Sequence, residues 1–234
     1  MKRYFDQTST LTYSYLISIP LLILYEVLIR ISQPGEEAMV RLSAEIWITR
    51  LLMLIHHNTI VLTTVLVIVL GVFIFWKDRE KSIHLKTSYF GWMVAESIVW
   101  AVLLAFLVGG LVGWIFMFSA DAPAVTRLQM LALSIGAGLY EELVFRVVLV
   151  YGLIYLFNLL FERKTSVIIS VILAAAIFSG VHYTGSMGDV FTLPSFMFRM
   201  IFGLALNALL VVRGFGITAW THSLYDVLLV IFLY

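Results

Sequence analysis

Three small groups of polar residues interrupt the apolar second half of this 234-residue chain, and their types are those of proton-transfer chemistry. Glu141 and Glu142 are adjacent, with Arg146 four residues on, inside Leu131–Leu160, a stretch otherwise made mostly of Leu, Val, Ile, Gly and aromatics. His182 follows Phe178 by four positions at the end of the next apolar run, and His222 and Asp226 stand four apart in the last one. Ionisable groups at bilayer depth are costly and normally turn inward, toward a partner, an ion path or a reacting substrate. On a helix, residues four apart share a face, so Glu142 and Arg146 are expected to be neighbours while Glu141 points elsewhere. The Glu-before-Arg order also favours that pair. A buried ion pair accounts for Glu142 and Arg146 and leaves Glu141 without a partner, which makes it the candidate general base.

Each group also has a purely structural reading. The acids and Arg146 would clamp helices, His182 would cap one, and His222 with Asp226 would satisfy each other. The three groups are nevertheless the only dense polar set in the membrane-embedded half, and a shared site is the reading that covers them all. Two histidines with carboxylates also have the composition of a catalytic zinc centre. If a metal is used, His182, His222, Glu141 and Asp226 are its ligands. The common zinc-protease signature His-Glu-x-x-His is absent, because His56-His57-Asn58 lacks both the acid and the spacing. A glutamate-activated water is the favoured chemistry, with zinc as the only cofactor in view.

The elements that must position these groups are membrane helices. Of the residues, 62% are hydrophobic and 12% charged, against roughly 25% charged in a soluble domain, and the mean hydropathy is +1.03. A span needs about 20 apolar residues. Runs at 11–31, 59–76, 89–118, 131–160, 166–182, 191–212 and 216–234 predict an all-α, polytopic membrane bundle of about seven helices, or eight. The whole chain, 1–234, reads as one integral membrane domain. Segment 30–58 carries Arg30, Arg41 and Arg50 with Glu36, Glu37 and Glu45, and its apolar residues are spaced loosely like one helix face. It is expected to lie in the interface or to dip into the bilayer.

Lys2 and Arg3 precede a run that reaches Ile31 without a small-x-small cleavage pattern, which predicts an uncleaved first helix. With seven spans, most Lys and Arg fall on the side of the N-terminus, which is then cytoplasmic. Net charge is +1 with no basic cluster, so nucleic acid is not an expected partner. Without cysteine there is neither a disulfide nor a thiolate nucleophile. Glu26, Glu96 and Arg199 stand alone in apolar runs, and pairing between helices is their expected role. Several of Trp47, Trp76, Trp92, Trp114 and Trp220 are expected to anchor the chain at the membrane interface.

The motifs Glu141-Glu142-Leu-Val-Phe145-Arg146, Phe178-x-x-x-His182 and His222-x-x-x-Asp226 resemble, in order and separation, those of the CPBP family of intramembrane proteases, also called Abi or CAAX-protease-like. The resemblance covers about 128–231. Phe198, Phe202 and Gly203 resemble a softer fourth motif, although Asn207 stands where a second glycine is usual and Val147 where many members have glycine. The resemblance implies a peptide bond hydrolysed at or within the membrane. Glu141 and His182 would activate water, Glu142 and Arg146 would orient them, and His222 with Asp226 would serve the oxyanion. Phe178 and Phe202 are candidate substrate contacts. An ionised aspartate cannot donate to an oxyanion as asparagine can, so Asp226 is expected to orient and charge His222.

The implied partners are a membrane-anchored peptide or protein substrate, the lipid bilayer and a membrane-complex partner. The expected location is a bacterial plasma membrane, in a multi-pass protein. The alternative is a catalytically silent relative acting by binding, in bacteriocin immunity or as a scaffold of a membrane complex. An ion- or proton-coupled carrier would use the same carboxylates, but no internal repeat supports it.

Overall fold

The computed structural model describes residues 2–33, 35, 40–113, 126–185 and 188–233. Glu36, Glu37 and Trp114 of the sequence reading, with the end of the run 89–118, lie outside the described residues. The architecture is all-α. A short α1 (Lys2–Thr8) leads into α2 (Leu11–Ser32), a small α3 (Ser43–Met53), α4 (Thr59–Asp78) and α5 (Thr87–Gly113). Then come α6 (Arg127–Glu141), a π-helical segment (Glu142–Val150) and α7 (Tyr151–Phe157) as one uninterrupted helical stretch, followed by α8 (Arg163–Val181), α9 (Leu193–Arg213) and α10 (Phe215–Leu233).

Six of these helices, α2, α4, α5, α8, α9 and α10, are long and apolar enough to cross a membrane. The stretch made of α6, the π segment and α7 is the seventh long rod, in agreement with the seven-helix expectation, and the chain is an integral membrane protein. At 1.5 Å per residue, α3 rises only ~16 Å, about half the ~30 Å of a hydrocarbon core. Within segment 30–58, α3 is thus too short to cross as a helix. The segment leaves Trp47, Leu51, Met53, Leu54 and Ile55 exposed.

Helix starts follow local chemistry. Thr126 caps α6 in a reciprocal box with Gln129, and Thr192 caps α9 ahead of Pro194 in its first turn. At α2, the buried Asp78 accepts from both the backbone N–H and the hydroxyl of Thr12, at 2.9 Å each. A carboxylate there satisfies a helix N-terminal donor from another helix. Around it, Gln7 bonds the Ser82 carbonyl, and the Tyr13 hydroxyl bonds the His84 carbonyl. The N-terminal segment and the α4–α5 connection are thereby tied into one end of the bundle.

The isolated charges resolve in different ways. Glu96 of α5 receives Arg213 of α9 in a two-pronged pair at 2.6 and 2.8 Å, and also the Tyr4 hydroxyl at 2.7 Å. Glu26 meets Arg30 in its own helix and Arg41 ahead of α3, while Arg199 reaches Asp189 in the α8–α9 connection. Only Glu96 pairs directly between long helices.

α10 is the central element, packing on α6, α5, α2 and α9 and on the π segment. The α6–α10 approach depends on Gly138, because a Cβ there would overlap Ser223 and the Ala219 carbonyl. The Ser223 hydroxyl completes the contact by donating to the Ile135 carbonyl at 3.1 Å. α8 lies along α9, held by Ser179 Oγ donating to the Phe196 carbonyl at 2.6 Å and by Asn207 Nδ2 donating to the Val171 carbonyl at 2.8 Å. Asn207, the departure from glycine, thus works as a hydrogen-bonded tie between helices.

Gly138→Ala should separate α6 from α10 and lower stability by about 1–3 kcal/mol, the usual cost of overpacking. Gly152→Ala meets nothing within 4 Å and should leave stability unchanged. Thermal midpoints of the purified variants in detergent check both, and equal midpoints would refute the close-approach argument.

Candidate active site

Glu141 ends α6 and Glu142 opens the π segment, so the pair sits where the backbone changes hydrogen-bond pattern. π segments are rare and often mark functional positions. The two side chains part there. Glu141 is half-buried and makes no hydrogen bond or ion pair among the described residues, whereas Glu142 is fully buried. Glu142 Oε2 is 3.0 Å from Arg146 Nε, and its Oε1 is 2.7 Å from His222 Nδ1. Glu142 is therefore more than the holder of Arg146 that the sequence reading assigned. It joins the π segment to α10.

Arg146 is also fully buried, and none of its guanidinium nitrogens has a hydrogen-bond partner among the described residues. The 3.0 Å approach to Glu142 is thus a charge contact without hydrogen-bond alignment. The other partner of the guanidinium is the face of Phe178, whose ring centroid lies 4.2 Å from the guanidinium carbon. Phe178 also meets Phe145 edge-on at 5.1 Å and His182 at 4.9 Å.

His182 forms the C-cap of α8, and its Nδ1 lies 2.7 Å from the Phe178 carbonyl. A carbonyl only accepts, so Nδ1 carries the proton and Nε2 keeps its lone pair when the ring is neutral. His222 is held differently. Nδ1 faces Glu142, and Nε2 lies 3.4 Å from Asp226 Oδ2 in the same helix. The Phe202 ring lies edge-on to it at 5.1 Å. Phe178 and Phe202 are nearly fully buried, so each mainly fixes a histidine and exposes only a small part to the cavity.

Glu141, His182, His222 and Asp226 all line one cavity of ≈ 210 Å³, with Ala137, Phe178, Phe198, Arg199, Phe202, Tyr225 and Leu229 completing its wall. A second, apolar groove of ≈ 330 Å³ between α6 and α10 shares Ala137, Asp226 and Leu229 with it. His222 is the eighth residue of α10, deep in the bundle, while His182 stands at a helix end. They meet because α10 begins two residues after Arg213 and packs closely on α6 at Gly138, where the helix is unbroken. A break near Gly136 and Gly138, one of the arrangements that could bring the histidines together, is absent. The change of helix type comes at Glu142 instead.

As arranged, the donors do not fit zinc. No three His, Asp or Glu side chains among the described residues form a metal-sized cluster, and both nitrogens of His222 face carboxylates. A tetrahedral site needs three protein donors converging at about 2 Å. Arg199 and Tyr225 are wall residues that motif reading passed over. The spacing held a clue, since Arg199 is three residues before Phe202 and Tyr225 is three after His222.

Glu142→Gln should destabilise the fold by about 3–5 kcal/mol, because Arg146 is left as a buried charge without its counter-ion. Glu141→Gln breaks no contact and should stay within about 0.5 kcal/mol of the parent. Unfolding of both variants in detergent checks this, and equal losses would contradict the division of roles between the two glutamates.

No curated protein and no solved structure matches the chain. Residues 123–228 match the family described as type II CAAX prenyl endopeptidase Rce1-like, and this match includes Glu141, Glu142, Arg146, His182, His222 and Asp226. The match covers a little under half of the chain and agrees with the resemblance carried by its motifs.

Proposed function

We propose that the protein is an intramembrane endopeptidase that hydrolyses a peptide bond of a membrane-anchored peptide or protein, with Glu141 and His182 activating the attacking water. The observation that carries this reading is the convergence of Glu141, His182, His222 and Asp226, from three separate elements, on one small cavity. Glu141 is the unpaired carboxylate there and takes a proton from water as it attacks the carbonyl carbon. His182 Nε2, left as an acceptor by the Nδ1 bond to Phe178, holds the same water. Glu141 then returns the proton to the leaving nitrogen.

His222 serves the oxyanion. Its Nδ1 is anchored by Glu142, and its Nε2 donates to the developing negative charge once Asp226 gives up the 3.4 Å contact. Asp226 is a quarter exposed. As an acceptor it orients and charges His222 but makes no bond to the oxyanion itself. The apolar groove beside the cavity suits the lipid-embedded part of such a substrate, because it opens between α6 and α10 and is lined almost wholly by aliphatic residues. No step in this scheme needs a metal.

Purified protein assayed with a panel of membrane-anchored peptides tests the reading. Glu141→Ala and His182→Ala should each abolish cleavage, and His222→Ala should lower turnover by about 10²–10³, the cost of losing an oxyanion donor. Processing by Glu141→Ala and His182→Ala at parental rates would overturn the protease assignment. A biological effect unchanged in those variants would instead support action by binding.

Metal removal is a separate test. Activity should survive stripping with a chelator. Loss of activity that added zinc restores, with Asp226→Asn losing both zinc and turnover, would replace the glutamate mechanism by a metal one.

A further inference from the structure

We propose that Arg199 is the recognition residue of the cavity and binds a carboxylate of the peptide being cut, in exchange for its present partner Asp189. The inference rests on the protease reading of the same cavity. Arg199 lies on α9 between Phe198 and Phe202, and all three line the cavity wall. Of the eleven lining residues it is the one permanent cation, facing a cavity whose other ionisable groups are Glu141, Asp226, the two histidines and the Tyr225 phenol. An anionic group of a substrate is repelled by the first two and finds its counter-charge at Arg199. Arg146 takes no part, being fully buried against Phe178 and Glu142.

The guanidinium is held in advance. Nη1 donates to the Tyr183 hydroxyl at 2.7 Å and to Ser195 Oγ at 2.6 Å, and the Tyr183 ring centroid lies 5.2 Å from the guanidinium carbon. The Tyr183 hydroxyl donates in turn to Ser195 Oγ at 2.8 Å. Nη2 points to Asp189 Oδ2 at 2.5 Å. The fork is thus fixed on one prong and engaged with a carboxylate on the other, the geometry in which arginine recognises a planar anion. Asp189 is the replaceable partner. Its side chain is 57% exposed, Arg199 is its only side-chain hydrogen-bond and ion-pair partner among the described residues, and exposed ion pairs contribute little.

The cavity also limits what carries the carboxylate. At ≈ 210 Å³ it is below the roughly 300–1,000 Å³ of common ligand pockets, so it admits a short piece of peptide. Two sources fit: the free C-terminus of a chain cut near its end, or an acidic side chain beside the scissile bond. Arg199 also steadies the turn after His182, where Asp189 N–H donates to the His182 carbonyl at 2.9 Å. The test must therefore separate recognition from positioning.

Three membrane-anchored peptides of one sequence serve, ending in a free acid, in an amide, or in an amide with one added glutamate near the cleavage site. The parent protein should cleave one of the two acidic forms at least about tenfold faster in kcat/KM than the neutral one, as loss of a charged hydrogen bond predicts. A preference for the free acid assigns the C-terminus, and a preference for the glutamate form assigns a side chain. Arg199→Gln should bring the ratio close to one, and Asp189→Asn should raise it by removing the competitor. No discrimination by the parent, or a ratio unchanged in Arg199→Gln, overturns the proposal. If Arg199→Gln cleaves nothing, binding of the three peptides to Glu141→Ala with and without Arg199→Gln decides: persisting discrimination overturns recognition, and its loss supports it. If the parent cleaves nothing, the protease reading fails, and the same binding comparison still judges Arg199 separately.

Discussion

The carboxylate of Glu142 is the constraint around which the rest is arranged. It is fully buried in a membrane bundle, where a lone charge is untenable, and it meets Arg146 on one side and His222 on the other. Because Arg146 and His222 come from the π segment and from α10, the pairing fixes those two elements against each other. The close packing at Gly138 makes that distance reachable, and the Ser223–Ile135 hydrogen bond holds it. Glu141, one residue earlier, is left free of partners at the cavity wall. A paired carboxylate and an unpaired one are thus set side by side where the α-helix changes to a π-helix.

The aromatic residues extend the same logic. Phe178 carries the Arg146 guanidinium on its face, sets an edge against His182, and accepts the His182 Nδ1 proton at its own carbonyl. One residue of α8 therefore links the buried charge to the tautomer of His182. Phe202 and Tyr225 do comparable work around His222 from α9 and α10. Far from the site, Arg213 with Glu96 and Tyr4, and Asp78 with Thr12, lock the end of the bundle that carries the N-terminal segment. At the cavity, by contrast, Arg199 pairs with the exposed Asp189 of the α8–α9 connection.

Much of the architecture was legible beforehand because spanning a bilayer imposes length and apolarity on every long helix. Within the described residues the seven long runs are found as helices, with the fourth run divided into α, π and α. That division was not legible, since 142–150 contains no residue pattern that distinguishes a π from an α hydrogen-bond register. Segment 30–58 was ambiguous for a related reason: eleven amphipathic residues fit a short helix wherever it lies. Glu96 and Arg199 look alike as single charges in apolar runs, and the expected pairing between helices holds for Glu96 but not for Arg199. One pairs with a helix more than a hundred residues away, the other with a nearby loop.

By itself the sequence determined a polytopic helical membrane protein, a resemblance to a protease family over its second half, and the small set of residues able to move protons, because hydropathy and residue chemistry are local properties. Only the tertiary structure decided which carboxylate holds which partner. Glu142 rather than Asp226 alone governs His222, Arg146 rests on an aromatic face without hydrogen bonds, and Arg199 stands at the cavity. Such pairings depend on how closely separate helices approach, and that distance is set by a glycine on one helix meeting a serine on another, 85 positions apart in sequence.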